Sequence, residues 1–516
     1  MTRTTRSLLQ QAVAATCLIA LAACQPARYQ PSDVSLRFDL PKRSEWMDGP
    51  LDIPSPGTAV VDQPPAPEPA VHGPLALDTV IDSVTRRYPP YLSTLLEKDL
   101  ASGRLTQAMG AFDTTLGAKG GGQVQGYYGS TFGQSLLEQP LATGDTVYGG
   151  YRISDGSLPD YDKNRTQDSG ELVFGGRVPL LRDRSIDRRR AGVRQAEIDV
   201  MLADPTIARA RIDYVRAATR TYWTWVAAGQ RLTVARQLLR LATDRVDALR
   251  RGVERQFLAP IDIADNERLI AQRQVFVVNA ERQFQQVALE MSLFLRDVAD
   301  QPIVAAEDRL PQETPAPDAL QGELRDDAST AIRQRPELRR FQLVIDRART
   351  DLELAENQTM PNLDLVVEAA RSLSDGPYTD KEDLELFVGG ELKLPLQRRD
   401  ALGRREQAVA RVAQALIDEK FSRERIVNEV TDARSAVRAA FEQIESTKKN
   451  VSLARELVAA EQRAFDLGRS DLLRIQLREV QLADAETMAL DAMLAYRRAR
   501  ADLRAALGHD AIHKNP

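Results

Sequence analysis

Alternation of apolar and other positions marks several segments of the chain as β-strands. In LELFVGGELKLPL, residues 384–396, every even position is apolar or glycine, which puts the apolar side chains on one face of an extended strand. Even positions alternate in the same way near 112–132 and 170–180, and odd positions do so over 362–372. The sequence therefore predicts four strands.

A further segment, TGDTVYGGYRIS (143–154), has the same alternating character. Counted as one more full crossing, it would leave the helix that follows on the wrong side of the sheet. We therefore interpret this segment as a strand continuation or a loop hairpin.

Apolar residues at alternating steps of four and three predict long paired helices. Residues 403–467 contain no internal proline or glycine and would form a rod of about 95 Å at 1.5 Å per residue. Two shorter helices, at about 327–358 and 471–507, together match that length. Pro205 interrupts the corresponding helix of the first half and is expected to kink or restart it. The stripe with coiled-coil spacing comprises Ile426, Val430, Ala433, Val437, Ala440 and Ile444.

The same order of features occurs twice along the chain, which indicates an internal duplication. GELVFGGRVPLLRDRS (170–185) parallels LELFVGGELKLPLQRR (384–399), with a central Gly-Gly, a Pro-Leu at the strand end and arginines where a helix begins. RRYPPYL (86–92) has its counterpart in RQRPELR (333–339). Each half reads as a helix, two strands and a long helical hairpin.

These boundaries divide the chain into repeats and connecting segments. The first repeat covers 75–297 with its hairpin tip at 251–264, and the second covers 326–508 with its tip at 465–475. A linker at 298–325 joins the repeats, and a short tail follows at 509–516.

The N-terminal segment has the features of a secreted lipoprotein. Residues 1–23 have a basic start, an apolar stretch and small residues before Cys24, which is the pattern of a signal peptide. Leu-Ala-Ala-Cys at 21–24 resembles a lipobox, which implies cleavage before Cys24, acylation of this cysteine and sorting to the outer membrane. Residues 24–74 are rich in proline and predict an extended tether.

The four predicted strands present an apolar face, and its contact partner has to be identified. Four strands cannot close a barrel, and open strand edges are costly, above all in lipid. Either the strands cover a soluble core together with helices, or several chains pool their strands in one membrane barrel. The lipid anchor, the glycine-rich strands and the polar loops at 134–168 and 374–382 favour pooling. The rival of another class is a periplasmic coiled-coil lipoprotein that acts as a scaffold.

The composition argues against several classes of chemistry. The 69 Lys and Arg residues nearly balance the 74 Asp and Glu residues, which does not suit a nucleic-acid binder. The three histidines lie in the tether and tail, so neither histidine-based catalysis nor a histidine metal site is expected. No catalytic residues and no cofactor are predicted, apart from the covalent lipid on Cys24.

The signal, the lipobox, the duplicated halves, the Pro-Leu strand ends, RPEL (335–338) and LGRSDLL (467–473) together resemble the TolC-like outer-membrane factors. This resemblance implies a homotrimer with a twelve-stranded transmembrane β-barrel, four strands per chain, continued by an α-helical coiled-coil barrel in the periplasm. It implies the exit duct of a tripartite efflux system, with a periplasmic adaptor and an inner-membrane transporter as partners. A duct for type I protein or polysaccharide secretion is the alternative within the family.

The resemblance also implies that the hairpin tips contact the adaptor. We assign this role in the second tip to Gly468, Arg469, Ser470, Asp471 and Leu472, and in the first tip to Leu258, Pro260 and Ile261. A plain turn explains some of the same residues, because Gly468 permits the turn and Ser470 can cap the returning helix.

The same tips close the tunnel in members of the family, in some through aspartate rings on the second return helix. This sequence departs from that pattern, with Arg474 among the corresponding positions and acidic residues in the first tip. Threefold symmetry would turn each of these residues into a ring of three. We hypothesise that Asp262 or Asp265 pairs with Arg474 or Arg478 in the closed state; exposed helix charges are the alternative.

Overall fold

The structure is a computed structural model that describes most of the chain beyond the tether. The described residues are 73–123, 125, 129–158, 165–256, 259–376, 378, 381, 384–467 and 469–510. The predicted signal peptide, Cys24 and all but the end of the tether lie outside them. The described chain forms two compact units, a strand unit of 96–200 and 353–402 and a helical unit of 73–95, 201–352 and 403–510.

The strand unit contains one six-stranded sheet in which every neighbouring pair is antiparallel and the strands follow chain order. The strands are β1 Thr115–Gln123, β2 Ser130–Pro140, β3 Thr146–Gly156, β4 Glu171–Pro179, β5 Asn362–Ser372 and β6 Glu385–Lys393. Strands β1 and β6 are the edges of this sheet and pair on one side only.

The sheet corrects the predicted count of four strands. The strand expected over 112–132 corresponds to β1 and the start of β2, and segment 143–154 contains most of the separate strand β3. Much of the loop expected at 134–168 is therefore strand. Because β2 and β3 enter as a hairpin, they add two crossings together and do not reverse the side on which the next helix begins.

The turn between β2 and β3 explains why alternation alone missed this hairpin. The Leu141 N–H donates to the Asp145 carbonyl oxygen at 2.8 Å, which closes the chain into a tight reversal. Gly144 has φ +96°, and a Cβ there would lie 2.6 Å from Arg190 Nη2. A turn that depends on the conformation of one glycine cannot be predicted from a pattern of apolar positions.

The pairing register puts the apolar positions of neighbouring strands on one face. Phe174 lies opposite Ala369, which lies opposite Leu386, and Leu363 lies opposite Leu392. Towards the other edge, Leu137 lies opposite Leu116. Large side chains on this face are strongly exposed, including Leu116, Phe174, Leu386, Val388 and Leu392 at 61–71%.

The opposite face of the sheet is polar and charged. Arg152 forms an ion pair with the buried Glu171 and lies 3.6 Å from Glu368, whose carboxylate accepts a hydrogen bond from the Tyr148 hydroxyl at 2.8 Å. Arg177 lies 3.6 Å from Asp364. One face of the sheet is thus apolar and exposed, while the other holds ion pairs.

The helices account for most of the remaining described residues. They are α1 Leu77–Arg87, α2 Pro89–Leu95, α3 Glu97–Met109, α4 Arg188–Asp244, α5 Val246–Glu254, α6 Pro260–Ser292, α7 Leu324–Gln334, α8 Pro336–Asn357, α9 Arg399–Asp466 and α10 Leu472–Leu507. Among the residues that the structure describes, none of the helices combines the length and apolar content needed to cross a membrane.

Two hydrophobic cores hold the helical unit together. The predicted stripe from Ile426 to Ile444 is buried against α10, where Tyr496 and Leu503 are among its partners. In the first half, α4 packs on α6 around Trp225, which is fully buried. Trp223 is only partly buried and lies under the Arg497 guanidinium, 4.6 Å from the ring centroid. The heptad-type spacing therefore identified the packed faces.

The helices differ from the sequence prediction at two prolines, Pro336 and Pro205. The helix expected over 327–358 is broken at Arg335, because the residue before a proline disfavours the helical conformation, and Arg335 has ψ 123°. Pro205 does not restart its helix, because it lies inside α4, which is one continuous helix of 57 residues.

Candidate functional site

The second hairpin tip is a compact turn between α9 and α10. The Arg469 N–H donates to the Ala464 carbonyl oxygen at 2.8 Å, and the Ser470 hydroxyl donates to the Glu461 carboxylate. Asp471, rather than the expected Ser470, is the N-cap of α10, because its carboxylate accepts the Arg474 N–H at 2.9 Å. Local hydrogen bonds thus hold this turn.

Exposed apolar side chains flank this turn. Leu467 is 68% exposed and Leu473 is 74% exposed, whereas Leu472 is buried. Gly468, which the sequence assigned to the adaptor surface, lies outside the described residues. The described part of this tip therefore carries two exposed leucines and a polar cap.

The first hairpin tip begins where α5 ends at Glu254. The Asp262 carboxylate accepts the Ala259 N–H at 3.0 Å, and Pro260 occupies the first turn of α6. Ile261 is 64% exposed. Leu258, also assigned to the adaptor surface, lies outside the described residues.

The four gate candidates make other contacts within one chain. Asp262 caps α6, and Asp265 lies 4.0 Å from Arg268. Arg474 lies 3.5 Å from Asp471, and Arg478 lies 3.9 Å from Glu461. Pairing of these aspartates with these arginines between copies of the chain stays a prediction.

A buried ion-pair cluster joins the two hairpins near their tips. The Glu479 carboxylate of α10 lies between Arg245, at the junction of α4 and α5, and Arg273 of α6. Arg273 Nη2 lies 2.9 Å from Glu479 Oε2, and its Nη1 donates to the Leu238 carbonyl oxygen at 2.5 Å. The side chains of Arg273 and Glu479 are only 3% and 4% exposed. We refer to Arg245, Arg273 and Glu479 as the buried triad.

The charges in the buried triad run opposite to the sequence hypothesis. The basic residues come from the first half of the chain and the acid from the second. A signal was present in the sequence, because Arg273 lies between Leu269 and Val277 in the buried stripe of α6. A charged residue in an apolar seam needs a partner, and such residues fix register in coiled coils.

A buried amide adds a second polar contact within the first hairpin. Asn266 is fully buried, and its side-chain nitrogen donates to the Ala242 carbonyl oxygen at 2.9 Å. Within the described residues, no cluster of histidine, cysteine, aspartate or glutamate has the arrangement of a metal site. The arrangement near the tips can hold two hairpins in register, which is a mechanical rather than a chemical role.

Comparison with known families bears on the second half of the chain. Residues 328–509 match the model of a family described as outer membrane efflux protein. Members of this family are channels rather than enzymes. No curated protein matches the sequence.

Solved structures match the fold over most of the chain. A membrane protein from Pseudomonas aeruginosa aligns with a TM-score of 0.61 at 17% identity, covering 86% of this chain and 96% of its own. The outer membrane protein VceC from Vibrio cholerae aligns with a TM-score of 0.58 at 14% identity, covering 84% and 96%. The MtrE outer membrane channel of Neisseria gonorrhoeae, in its open state, aligns with a TM-score of 0.60 at 16% identity, covering 84% and 88%.

These matches confirm the resemblance to TolC-like outer-membrane factors and the combination of long helices with an antiparallel sheet. At 14–17% identity the structural likeness concerns the fold.

Proposed function

We propose that this chain, whose second repeat matches the outer membrane efflux protein family, assembles as a homotrimer into the exit duct of a tripartite efflux system. The observation that carries the proposal is the six-stranded sheet, with one exposed apolar face and one face of ion pairs. A strand unit of this kind suits lipid on one side and a water-filled passage on the other.

The two edges of the sheet support assembly from several chains. Strands β1 and β6 each leave one side of their backbone unpaired within the sheet. Unpaired backbone groups are very costly in lipid, so a lipid-facing sheet must close on itself or on other copies. Copies that pair β1 of one chain with β6 of the next would satisfy both edges.

The exposed side chains at the tips support docking of a periplasmic adaptor. Ile261, Leu467 and Leu473 are each more than 60% exposed in the single chain. Apolar side chains of this size on turns capped by local hydrogen bonds form small, ordered contact points for a helical hairpin. The tip residues named from the sequence, including those outside the described chain, are assigned to this contact.

The buried triad supports a closed resting state at the tips. It ties the return helix α10 to the first hairpin, so a movement that separates the two hairpins must break a buried carboxylate contact. Breaking such a contact by removing one partner costs on the order of 3–5 kcal/mol in typical cases. We assign Glu479 to closure of the duct, beside the predicted contacts of Asp262, Asp265, Arg474 and Arg478.

Conductance tests the proposal directly. The full-length lipoprotein, extracted from outer membranes in mild detergent, is inserted into planar phosphatidylcholine bilayers and the current is recorded. A duct gives discrete current steps of uniform size. A protein that binds the bilayer without current steps, both as the wild type and as a Glu479→Gln variant in which the closing contact is removed, would instead support the scaffold interpretation.

A further inference from the structure

The two strand-to-helix junctions of the chain carry exposed leucines followed by exposed arginines. The first junction covers 180–189 and the second covers 394–399. We propose that they form one surface that binds the headgroups of anionic phospholipids. The inference rests on the proposed function, because it requires the apolar face of the sheet to lie in a bilayer.

The pairing of the strands brings both junctions to the same end of the sheet. Strands β4 and β6 both pair antiparallel to β5, so they run in the same direction. Pro179, the last residue of β4, lies opposite Asp364, which lies opposite Glu391 near the end of β6. With neighbouring strands about 4.8 Å apart, the junctions begin about 10 Å from each other.

The leucines extend the apolar face of the sheet beyond its last paired residues. Leu394 and Leu396 keep the even parity of Leu392 and are 47% and 83% exposed. In the first junction Leu180 and Leu181 are 46% and 43% exposed. Apolar side chains therefore remain on the surface beyond the last paired residues of both strands.

At the end of each junction, two exposed arginines lie where the next helix begins. Arg188 and Arg189 open α4, and Arg398 and Arg399 lie at the start of α9. All four are exposed. Cations at the start of a helix oppose its dipole, so helix stability does not explain them. The first turn of α4 contains no acidic residue that would offset this charge.

The carboxylates near the first junction already have other partners. Asp187 pairs with Arg190 at 3.3 Å, and Asp183 pairs with Arg182 at 3.6 Å. Arg188 has an electrostatic interaction with Asp183. In the part of the chain that the structure describes, none of the four exposed arginines has a side-chain hydrogen bond or an ion pair within 4 Å.

The combination selects a phospholipid over a free anion. A guanidinium group binds phosphate oxygens in a bidentate geometry, which suits the phosphodiester of a headgroup. Inorganic phosphate would satisfy the arginines but would gain nothing from the adjacent leucines, whereas an acyl chain covers them. Basic residues beside an apolar segment are the feature by which proteins bind anionic lipid surfaces.

Lipid retention measured by native mass spectrometry tests the proposal. The full-length protein is delipidated in detergent, incubated with dioleoylphosphatidylglycerol or dioleoylphosphatidylcholine, and the lipid retained per chain is counted. We expect the wild type to prefer phosphatidylglycerol. Replacing all four arginines, R188Q, R189Q, R398Q and R399Q, should lower its retention at least about tenfold, since each basic residue near an anionic surface contributes about fivefold.

A matched variant controls for the loss of four positive charges. Arg240, Arg411, Arg438 and Arg500 are exposed arginines of the helical unit, and their replacement by glutamine should leave phosphatidylglycerol retention unchanged. If the fourfold variant does not assemble, two double variants, one per junction, replace it. Each double variant should retain less phosphatidylglycerol than the wild type. Inorganic phosphate added at constant ionic strength should not displace the lipid.

Three results would overturn the proposal: equal retention of both lipids by the wild type, full retention by the junction variants, or displacement by inorganic phosphate. Conductance of the same wild-type preparation in phosphatidylcholine bilayers separates this failure from failure of the duct. Current steps without lipid preference would reject the headgroup surface alone. Absence of current steps in both the wild type and the Glu479→Gln variant would reject the duct itself.

Discussion

Arg335 and Glu337 are the residues of the RPEL segment that the structure explains best. Arg335 is 4% exposed and donates to Glu337 at 2.6 Å, to Glu429 at 2.8 Å and to the Ala506 carbonyl oxygen at 3.3 Å. Glu337 also forms an ion pair with Arg209. The break before Pro336 thus ties the start of α8 to α4, α9 and α10.

The pKa of Glu337 reflects this network. Burial alone would raise the pKa, but hydrogen bonds from Arg335 and the charges of Arg335 and Arg209 outweigh burial and lower it below the ordinary value. A lowered pKa stabilises the fold at pH values above the ordinary glutamate pKa. This stabilisation is lost as the pH falls through that value towards the lowered one.

We therefore predict that Glu337→Gln destabilises the helical unit at pH 7 by on the order of 2 kcal/mol, the typical contribution of hydrogen bonds to a charged group. The difference from the wild type should shrink below about pH 4, because Glu337 of the unfolded wild type gains a proton there, whereas the folded protein gains it only at lower pH. The free energy of unfolding is measured at each pH by denaturant titration, with the helical circular dichroism signal as the probe.

Glu442→Gln is the matched control, because Glu442 is an exposed glutamate of α9. Its substitution should change the free energy of unfolding by less than about 0.5 kcal/mol at either pH. A Glu337→Gln effect that stays constant from pH 7 to pH 3 would contradict the electrostatic explanation.

At this scale the sequence revealed which residues are unusual but not what they do. RPEL (335–338) was recognisable as a motif, yet Glu429 and Ala506 lie far along the chain from Arg335. Such long-range partners follow from the packing of helices, which a single sequence does not contain. Trp223 and Trp225 lie two positions apart on α4 and cannot share one environment, and only Trp225 is fully buried.

Among the elements, strands with a continuous alternating pattern were predictable and short turns were not. Strands β5 and β6 coincide closely with the predicted segments, and their apolar faces match in register. Strands β1 to β3 were counted incorrectly because their boundaries depend on turn geometry. A period of two identifies a face of a strand but not where the strand ends.

For the helices, too, the apolar spacing predicted the packed face but not the position of a break. The apolar spacing of α9 identified its buried face over Ile426 to Ile444. The break at Arg335 required attention to the residue before a proline, a local backbone effect that apolar spacing does not record. The buried triad was not predicted because the pattern of apolar positions does not include charged residues, although Glu479 lies four residues after the fully buried Ile475.

Glu479 provides a prediction at the level of the two hairpins. Glu479→Gln leaves the buried Arg273 and the partly buried Arg245 close together without a neutralising carboxylate, which favours separation of α10 from the first hairpin. We expect single-channel conductance in planar bilayers to increase several-fold, or the open fraction to rise, with the number of chains per complex unchanged.

Asp484→Asn on the exposed side of α10 serves as the matched control and should conduct like the wild type. An increase of conductance in both variants would indicate a general effect of lost negative charge. Unchanged conductance in Glu479→Gln would remove the buried triad from the closure of the duct.

For the whole molecule, the decisive feature is a sheet that is incomplete in one chain. In the proposed duct, its exposed apolar face contacts lipid and its two open edges pair with strands of further copies. The sequence anticipated this need from alternation and the lipoprotein signal. The number of strands that each chain supplies came only from the structure.

The most direct test of the account is the protein mass of the complex extracted from outer membranes in mild detergent. Native mass spectrometry or light scattering corrected for detergent gives the number of chains. The account predicts three mature chains per particle, which remain together until the detergent is made harsh. A single chain that stays soluble in buffer once its lipid is removed would contradict the duct, and the apolar face of the sheet would then contact protein.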